Sequence, residues 1–385
     1  MSLIDPVALT QSLVRCASIT PEDAGAQDVV RAALDTLGFT SRDLPFGNIK
    51  NLLARKDGSG NTTGEAPGPH LCFCGHTDVV PPGDVALWSV DPFAATIQDG
   101  KIIGRGTADM KGNIAAFIAA TSAFLQEYPA FKGSISVLIT GDEEAEAVNG
   151  TVKVLEWMRD HQQLADFYLV GEPSNTEQIG DEIKIGRRGS LTCVLTVKGV
   201  QGHVAYPERA ENPLPRLVKL LDRISGHIFD MGNNHFSRTN LEITSIDVGN
   251  RVDNMIPAQG VARFNIRFND TWTAASLTQK IRDVLDETGL AYTLSATSNA
   301  ESFVTKMGTL TEMVSQAVKE ITGRTPRLST GGGTSDARFC AAYGPVVEFG
   351  LINKTIHKVD EHIEIDDLRT LTQIYKRTLA LYFSV

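Results

Sequence analysis

Three short apolar runs stop abruptly at residues that bind cations or carry protons, and this repetition limits what the chain can fold into. Leu71-Cys72-Phe73-Cys74 leads into Gly75-His76-Thr77-Asp78, Ile135-Ser136-Val137-Leu138-Ile139 into Thr140-Gly141-Asp142-Glu143-Glu144, and Phe167-Tyr168-Leu169-Val170 into Gly171-Glu172-Pro173. A short, almost continuously apolar run bounded by Gly and polar residues suits a strand covered on both faces. Stretches of helical spacing lie between the runs, at 113–126 and 151–161. Alternating strands and helices predict an α/β fold with a mixed, largely parallel sheet and helices on both of its faces. In such sheets ligands gather beyond the carboxyl ends of the strands. An isolated Asp-Glu-Glu is ordinarily a solvated turn; three strand ends that bring His and carboxylates to one edge make a candidate site. Side chains alternate along an extended chain, so of Glu143 and Glu144 one could hold a metal while its neighbour handles protons.

The rest of the first half is consistent with this layout. Residues 5–16 and 26–37 read as amphipathic helices, the second ended by Gly38, with a strand at 51–56, a Gly/Pro/Thr-rich loop at 57–69 and a hairpin turn at Asp99-Gly100. The glycine-rich segment 104–112 has neither the dinucleotide nor the Walker A spacing, so nucleotide binding is not expected. From Gly189 the rhythm changes: strand 190–198, helix 213–229, strands 240–248 and 261–268, helix 274–287 and strand 292–296. That β-α-β-β-α-β order is the split ferredoxin-like unit. It is expected as a dimerisation or lid domain at 189–301, inserted into a discontinuous catalytic domain of residues 1–188 and 302–385. A small sheet leaves edge strands open, and pairing with a second copy would cover them. A helix at 310–321, a Gly-rich segment within 328–339, a strand at 346–349, a segment with His357 and a closing helix at 366–382 complete the chain.

Composition removes several classes of function. A formal net charge of -10 over 385 residues, with no Lys/Arg block, argues against a nucleic-acid partner. No apolar run approaches the ~18 residues of a membrane span, and no basic segment followed by an apolar one opens the chain, so the expectation is a cytoplasmic protein. The five cysteines, Cys16, Cys72, Cys74, Cys193 and Cys340, are scattered without a C-x-x-C and read as reduced, packed thiols. Asn61-Thr62-Thr63 and Asn149-Gly150-Thr151 fit the glycosylation pattern but have no secretion signal beside them.

His76, Asp78, Asp109, Glu143, Glu144, Glu172 and His357 form the candidate set, and His plus carboxylate ligation suits zinc. The stretches 75–81, Gly104-Arg105-Gly106 through Asp109-Met110-Lys111-Gly112, Asp142-Glu143-Glu144, Gly171-Glu172-Pro173 and Thr355-Ile356-His357 resemble the dinuclear zinc aminoacylase/carboxypeptidase family of M20-type metallopeptidases. Ile185-Gly186-Arg187-Arg188-Gly189-Ser190, 202–207 and 332–339 resemble, more narrowly, the members that remove succinyl groups from diaminopimelate. The resemblance runs from about residue 5 to the C-terminus.

It implies that Asp109 bridges two Zn2+ ions per subunit, with Co2+ able to substitute at one site. His76 and Glu172 would complete one site, and Glu144 and His357 the other. It makes Glu143 the general base, has Asp78 orient His76, and brings His203 from the partner subunit of a homodimer to the oxyanion. The Asp109-Met110 peptide is expected to be cis. Arg187, Ser190, Tyr206, Asn254, Arg267, Gly333, Thr334 and Asn353 match substrate-contacting positions; the two arginines suit a substrate with several carboxylates. The implied activity is hydrolysis of N-succinyl-L,L-2,6-diaminopimelate to succinate and L,L-2,6-diaminopimelate, in lysine and diaminopimelate biosynthesis. The alternatives are an acetylornithine deacetylase or another N-acyl amino acid amidohydrolase of the family and, remotely, a non-catalytic metal-binding homologue. Two departures mark the chain: Ala145-Glu146-Ala147 follows Glu144 where the family places a Gly, and Asp360 stands where Asn is common.

Overall fold

A computed structural model describes residues 3–61, 68–306 and 308–385. The expected loop at 57–69 and the acceptor pattern at Asn61 therefore fall partly outside the described residues. The chain divides into two compact units, one of Met1–Ile185, Thr305–Ser329 and Ser335–Val385, the other of Gly186–Val304 and Thr330–Thr334.

The first unit is built on an eight-stranded sheet. Its order is Thr40–Asp43, Leu52–Asp57, Ser134–Thr140, His70–His76, Phe167–Val170, Val346–Glu348, Glu182–Lys184 and Arg327–Ser329. The strands 134–140, 70–76, 167–170 and 346–348 run parallel to one another, as 182–184 does to 327–329, while 182–184 pairs antiparallel with 346–348, and 52–57 pairs antiparallel with both 134–140 and the edge strand 40–43. Every residue of His70–His76 and of Ser134–Thr140 is buried, which is why these segments read as unbroken apolar runs. Phe73 and Cys74 point to opposite faces. Phe73 stacks on Phe117 of helix Gly112–Glu127 at 4.2 Å and meets Tyr375 of helix Ile365–Tyr382 edge-on at 6.0 Å. Cys74 lies 3.8 Å from the sulfur of Cys340, on the short helix Ala337–Cys340. Helices thus cover both faces, as the alternation of elements requires.

Register does the positioning. His76 pairs with Thr140 and Cys74 with Val170, so Gly141–Glu144 and Gly171–Glu172 continue past the sheet edge on either side of His76. Neighbouring strands are about 4.8 Å apart, and polar side chains leaving three adjacent ends must meet.

A three-stranded sheet lies in the same unit. Thr96–Gln98 and Lys101–Ile103 form the expected hairpin, its turn made by Asp99 (φ 48°) and Gly100 (φ 78°), and His362–Glu364 pairs antiparallel with Lys101–Ile103.

In the second unit four antiparallel strands follow the order Asn240–Asp247, Gln259–Phe268, Gly189–Lys198, Thr293–Ala300. With helices Leu214–Ser225 and Ala274–Asp286 this is the β-α-β-β-α-β order. Leu191, Cys193 and Leu195 alternate inward against Leu217, Ile224 and Ile281. The first helix is shorter than expected and stops at Gly226, where a helix can end without a side chain to place; the last strand runs on to Ala300. Among the described residues no helix is long and apolar enough to cross a membrane.

Candidate metal centre

The three strand ends and two loops bring the candidate ligands of the first unit together. The His76 Nε2 lies 3.2 Å from Asp109 Oδ1 and 3.6 Å from Glu172 Oε1. On the other side of Asp109, His357 Nε2 lies 3.3 Å from Oδ2 and 2.9 Å from Glu144 Oε1. Asp109 therefore offers one oxygen to each imidazole. The donor atoms of His76, Asp109 and Glu144, and those of His76, Glu143 and Glu172, lie within 4.8 Å of one another. Four ligands at zinc distances of ~2.0–2.1 Å sit about 3.3 Å apart in a tetrahedron, the spacing found here. The four carboxylates carry the charge that two divalent cations would balance. The residues present fit a two-ion centre.

Local sequence explains how each donor is held. Asp109 follows the left-handed Gly106 (φ 85°) in the glycine-rich segment, and the Asp109-Met110 peptide is cis. A side chain on Gly106 would sit 2.6 Å from a Val79 methyl, so close approach as well as conformation requires Gly there. His357 is left-handed as well (φ 60°). Asp78 addresses His76 through its main chain and the following loop through its side chain. The ring of His76 is fixed at Nδ1 by the Asp78 carbonyl at 2.9 Å, with the Asp78 carboxylate at 3.7 Å. That carboxylate instead accepts the backbone N–H groups of Glu143 at 3.3 Å and Glu144 at 3.0 Å. A buried carboxylate must be hydrogen-bonded, and the two amides just past the strand end supply its donors.

Electrostatics matches a site built for cations. Burial pushes the Glu143 carboxyl well up, with Asp336, Glu144 and Asp109 adding to the effect and His76 opposing it. Burial and the charge of Asp109 likewise raise Glu172. Asp109 is held low against its own burial by hydrogen bonds from His357 and His76. His357 is pushed up to about 10 by its bonds to Asp109 and Glu144. The imidazoles take the cation's part between carboxylates that would otherwise repel.

With this geometry the likeness to known proteins is decisive. The profile of Peptidase family M20/M25/M40 matches residues 72–381. The chain belongs to this family. The M20 chain is 53% identical over 385 residues to a succinyl-diaminopimelate desuccinylase of Rhodospirillum centenum, covering 99% of this chain and 98% of that one. It is 48% identical over 389 residues to the enzyme of that name in Parvibaculum lavamentivorans, covering 99% and 96%. Its fold is similar, at a TM-score of 0.75 and 14% identity over 99% and 98% of the two chains, to the Bacillus subtilis YXEP protein, described as a dinuclear metal binding peptidase from the M20 family.

The remaining candidates of the M20 chain have partners of their own. Asn353 belongs to the first unit, its N–H bonded to the Asn175 carbonyl at 2.9 Å. The others are in the second unit. Arg187 is buried there and donates to the Gly331 carbonyl at 3.1 Å, bracing the segment that holds Gly333 and Thr334. Ser190 and Arg267 face each other across paired strands, and Ser190 Oγ accepts from Asn265 at 3.2 Å. His203 is exposed beside Tyr206, their rings 5.7 Å apart, and the Asn254 carbonyl accepts the Val204 N–H at 3.0 Å.

One residue of the centre carries no sequence signal beyond its place four residues after His357. Glu361 is fully buried and its carboxylate is bonded to the backbone at Asp109.

Proposed function

We propose that this chain hydrolyses N-succinyl-L,L-2,6-diaminopimelate to succinate and L,L-2,6-diaminopimelate, a step of lysine and diaminopimelate biosynthesis, in the cytoplasm. The observation that carries the reading is the 53% identity, over nearly all of both chains, to a relative named for that activity. The converging donors around Asp109 support it independently, because they suit two divalent ions.

In this reading Asp109 would be shared by two Zn2+ ions, with His76 and Glu172 to hold one and Glu144 and His357 the other. When bound, the ions supply polarisation of the amide carbonyl and acidification of a water. Glu143, a carboxyl whose proton affinity burial raises, takes the proton of the attacking water and returns it to the leaving amine. Asp78 holds the backbone of Glu143 and Glu144, so base and ligand keep their separate directions. His203, supplied by the second subunit of a homodimer, donates to the developing oxyanion; losing such a donor costs on the order of 100-fold in kcat. Arg267 receives a substrate carboxylate, and Arg187 acts through the 331–334 segment that it braces.

A kinetic comparison of N-succinyl-diaminopimelate with acetylornithine and other N-acyl amino acids tests the reading. Release of succinate at a kcat/KM well above that for acetyl substrates is expected; preference for an acetyl substrate would assign the chain to an acetylornithine deacetylase or a general aminoacylase. Glu143→Ala is expected to keep two zinc ions and lose turnover. Arg267→Ala is expected to raise KM for the succinyl substrate about tenfold or more, the loss of a charge-assisted hydrogen bond.

A further inference from the structure

Glu361 lies between the left-handed Asp360 and the strand His362–Glu364, with no exposed surface. Its Oε2 accepts from Arg105 Nη1 at 2.6 Å and from the Gly106 N–H at 3.1 Å. Its Oε1 accepts from the N–H groups of Ala108 at 2.9 Å and Asp109 at 3.1 Å. The carbonyl of Glu361 accepts the Gly104 N–H at 2.8 Å. Arg105, itself buried, also donates to the Pro81 carbonyl at 3.4 Å and lies over the Trp88 ring at 5.3 Å.

Only an ionised carboxylate offers acceptor sites to four donors on two oxygens; an amide of the same shape turns an NH2 toward two of them. Burying an ion pair where apolar packing would fill the same space brings no general gain in stability. The bonds of this pair have a direction, however. They converge on the turn that ends in Asp109 and join three loops: the one after His76, the one bearing Asp109, and the one bearing His357.

We propose that Glu361 is a positioning residue for the two-ion centre. Ionised and paired with Arg105, it holds the backbone at Asp109 and the His357 loop in the arrangement that lets each imidazole address a different oxygen of Asp109. The inference rests on the reading of Asp109 as the ligand shared by two ions. Partners that orient metal ligands in this way typically affect metal affinity by about 10- to 100-fold.

Zinc itself is the probe. Wild type, Glu361→Gln and Glu361→Asp are loaded with Zn2+, and zinc transfer to a chromogenic chelator is followed at equilibrium beside the circular dichroism and the metal-free melting temperature. Wild type is expected to hold two ions. Glu361→Gln is expected to fold, to lose at least one ion with about tenfold or more weaker retention, and to lose kcat with KM little changed. Glu361→Asp, which keeps the charge, is expected to recover part of the retention. Unchanged zinc retention in Glu361→Gln overturns the inference. So does a loss of retention that is equal in both variants and matched by an equal fall in metal-free melting temperature, because that pattern belongs to packing. If Glu361→Gln does not fold, Glu361→Asp decides alone: weaker retention at an unchanged metal-free melting temperature supports the role, and any other result overturns it. A wild-type chain that holds no second ion removes the two-ion reading and this inference together; two ions in wild type without succinate release leave the inference standing and remove only the substrate assignment.

Discussion

Ala147 is where the departure from the family's Gly has a physical consequence. It is left-handed at φ 54° and buried, in a loop held by the Asp142 carboxylate, which accepts the N–H groups of Val148 and Asn149 at 2.9 Å. An L-residue in that region costs about 1–2 kcal/mol, and Gly relieves this at an entropic cost of about 0.5–1 kcal/mol. Ala147→Gly is therefore expected to stabilise the chain by about 0.5–1 kcal/mol in urea denaturation. A loss of stability would show that the methyl group's packing outweighs its strain. Asp360, the second departure, is also left-handed (φ 55°) but needs no relief: Asp tolerates the conformation, and its carboxylate binds the Ser89 N–H and hydroxyl at 2.8 and 3.0 Å. At this scale the residues that converge on Asp109 were legible because His and carboxylates at strand ends are conspicuous. The hold of the Asp78 carboxylate on Glu143 and Glu144 and the presence of Glu361 were not, because backbone N–H groups are their partners and every residue but Pro has one.

Among the elements, the buried strands His70–His76, Ser134–Thr140 and Phe167–Val170 declared themselves through unbroken apolar runs, and the ferredoxin-like unit through alternation. The edge strands Thr40–Asp43 and Arg327–Ser329, and Glu182–Lys184 paired beside the latter, did not: they are short and carry charged residues, and pairing rather than hydrophobic pattern holds them. The close packing behind the central strands makes a further expectation. A Cβ on Gly171 would sit 2.4 Å from Phe73 Cζ and 2.8 Å from Met110 Cε, so the strand end carrying Glu172 has no room for one. Gly171→Ala is expected to cost about 1–3 kcal/mol of stability and to weaken zinc retention by moving Glu172. Retention equal to wild type would mean that the core yields and the ligand stays.

For the whole molecule, acid and metal are each expected to affect stability. His70 is buried at the start of its strand, with Nδ1 bonded to the Leu164 carbonyl at 3.2 Å and Nε2 to Ser136 Oγ at 2.8 Å, a pattern that suits the neutral ring. Burial, with Arg55 adding, pushes it down from 6.5 to about 4. The unfolded chain takes up this proton below pH 6.5 and the folded chain only near 4, so stability present above pH 6.5 is lost as the pH falls through this window. The loss amounts to about 3 kcal/mol. His70→Gln is expected to flatten the pH dependence of the unfolding free energy between pH 6.5 and 4; an unchanged slope would assign the acid sensitivity to other groups. Bound zinc at 1,000 times its dissociation constant adds about 4 kcal/mol, so chelation is expected to lower the melting temperature of wild type. The same centre sets an order of events on the ribosome. His76 and His357 are about 280 residues apart in the chain, about 14 to 56 s of translation at 5–20 residues per second. Asp109, Glu144 and Glu172 are all made in that interval, before the histidine that shares Asp109 with His76, so a nascent chain carries a half-walled cluster of carboxylates well before the second imidazole is there to meet it.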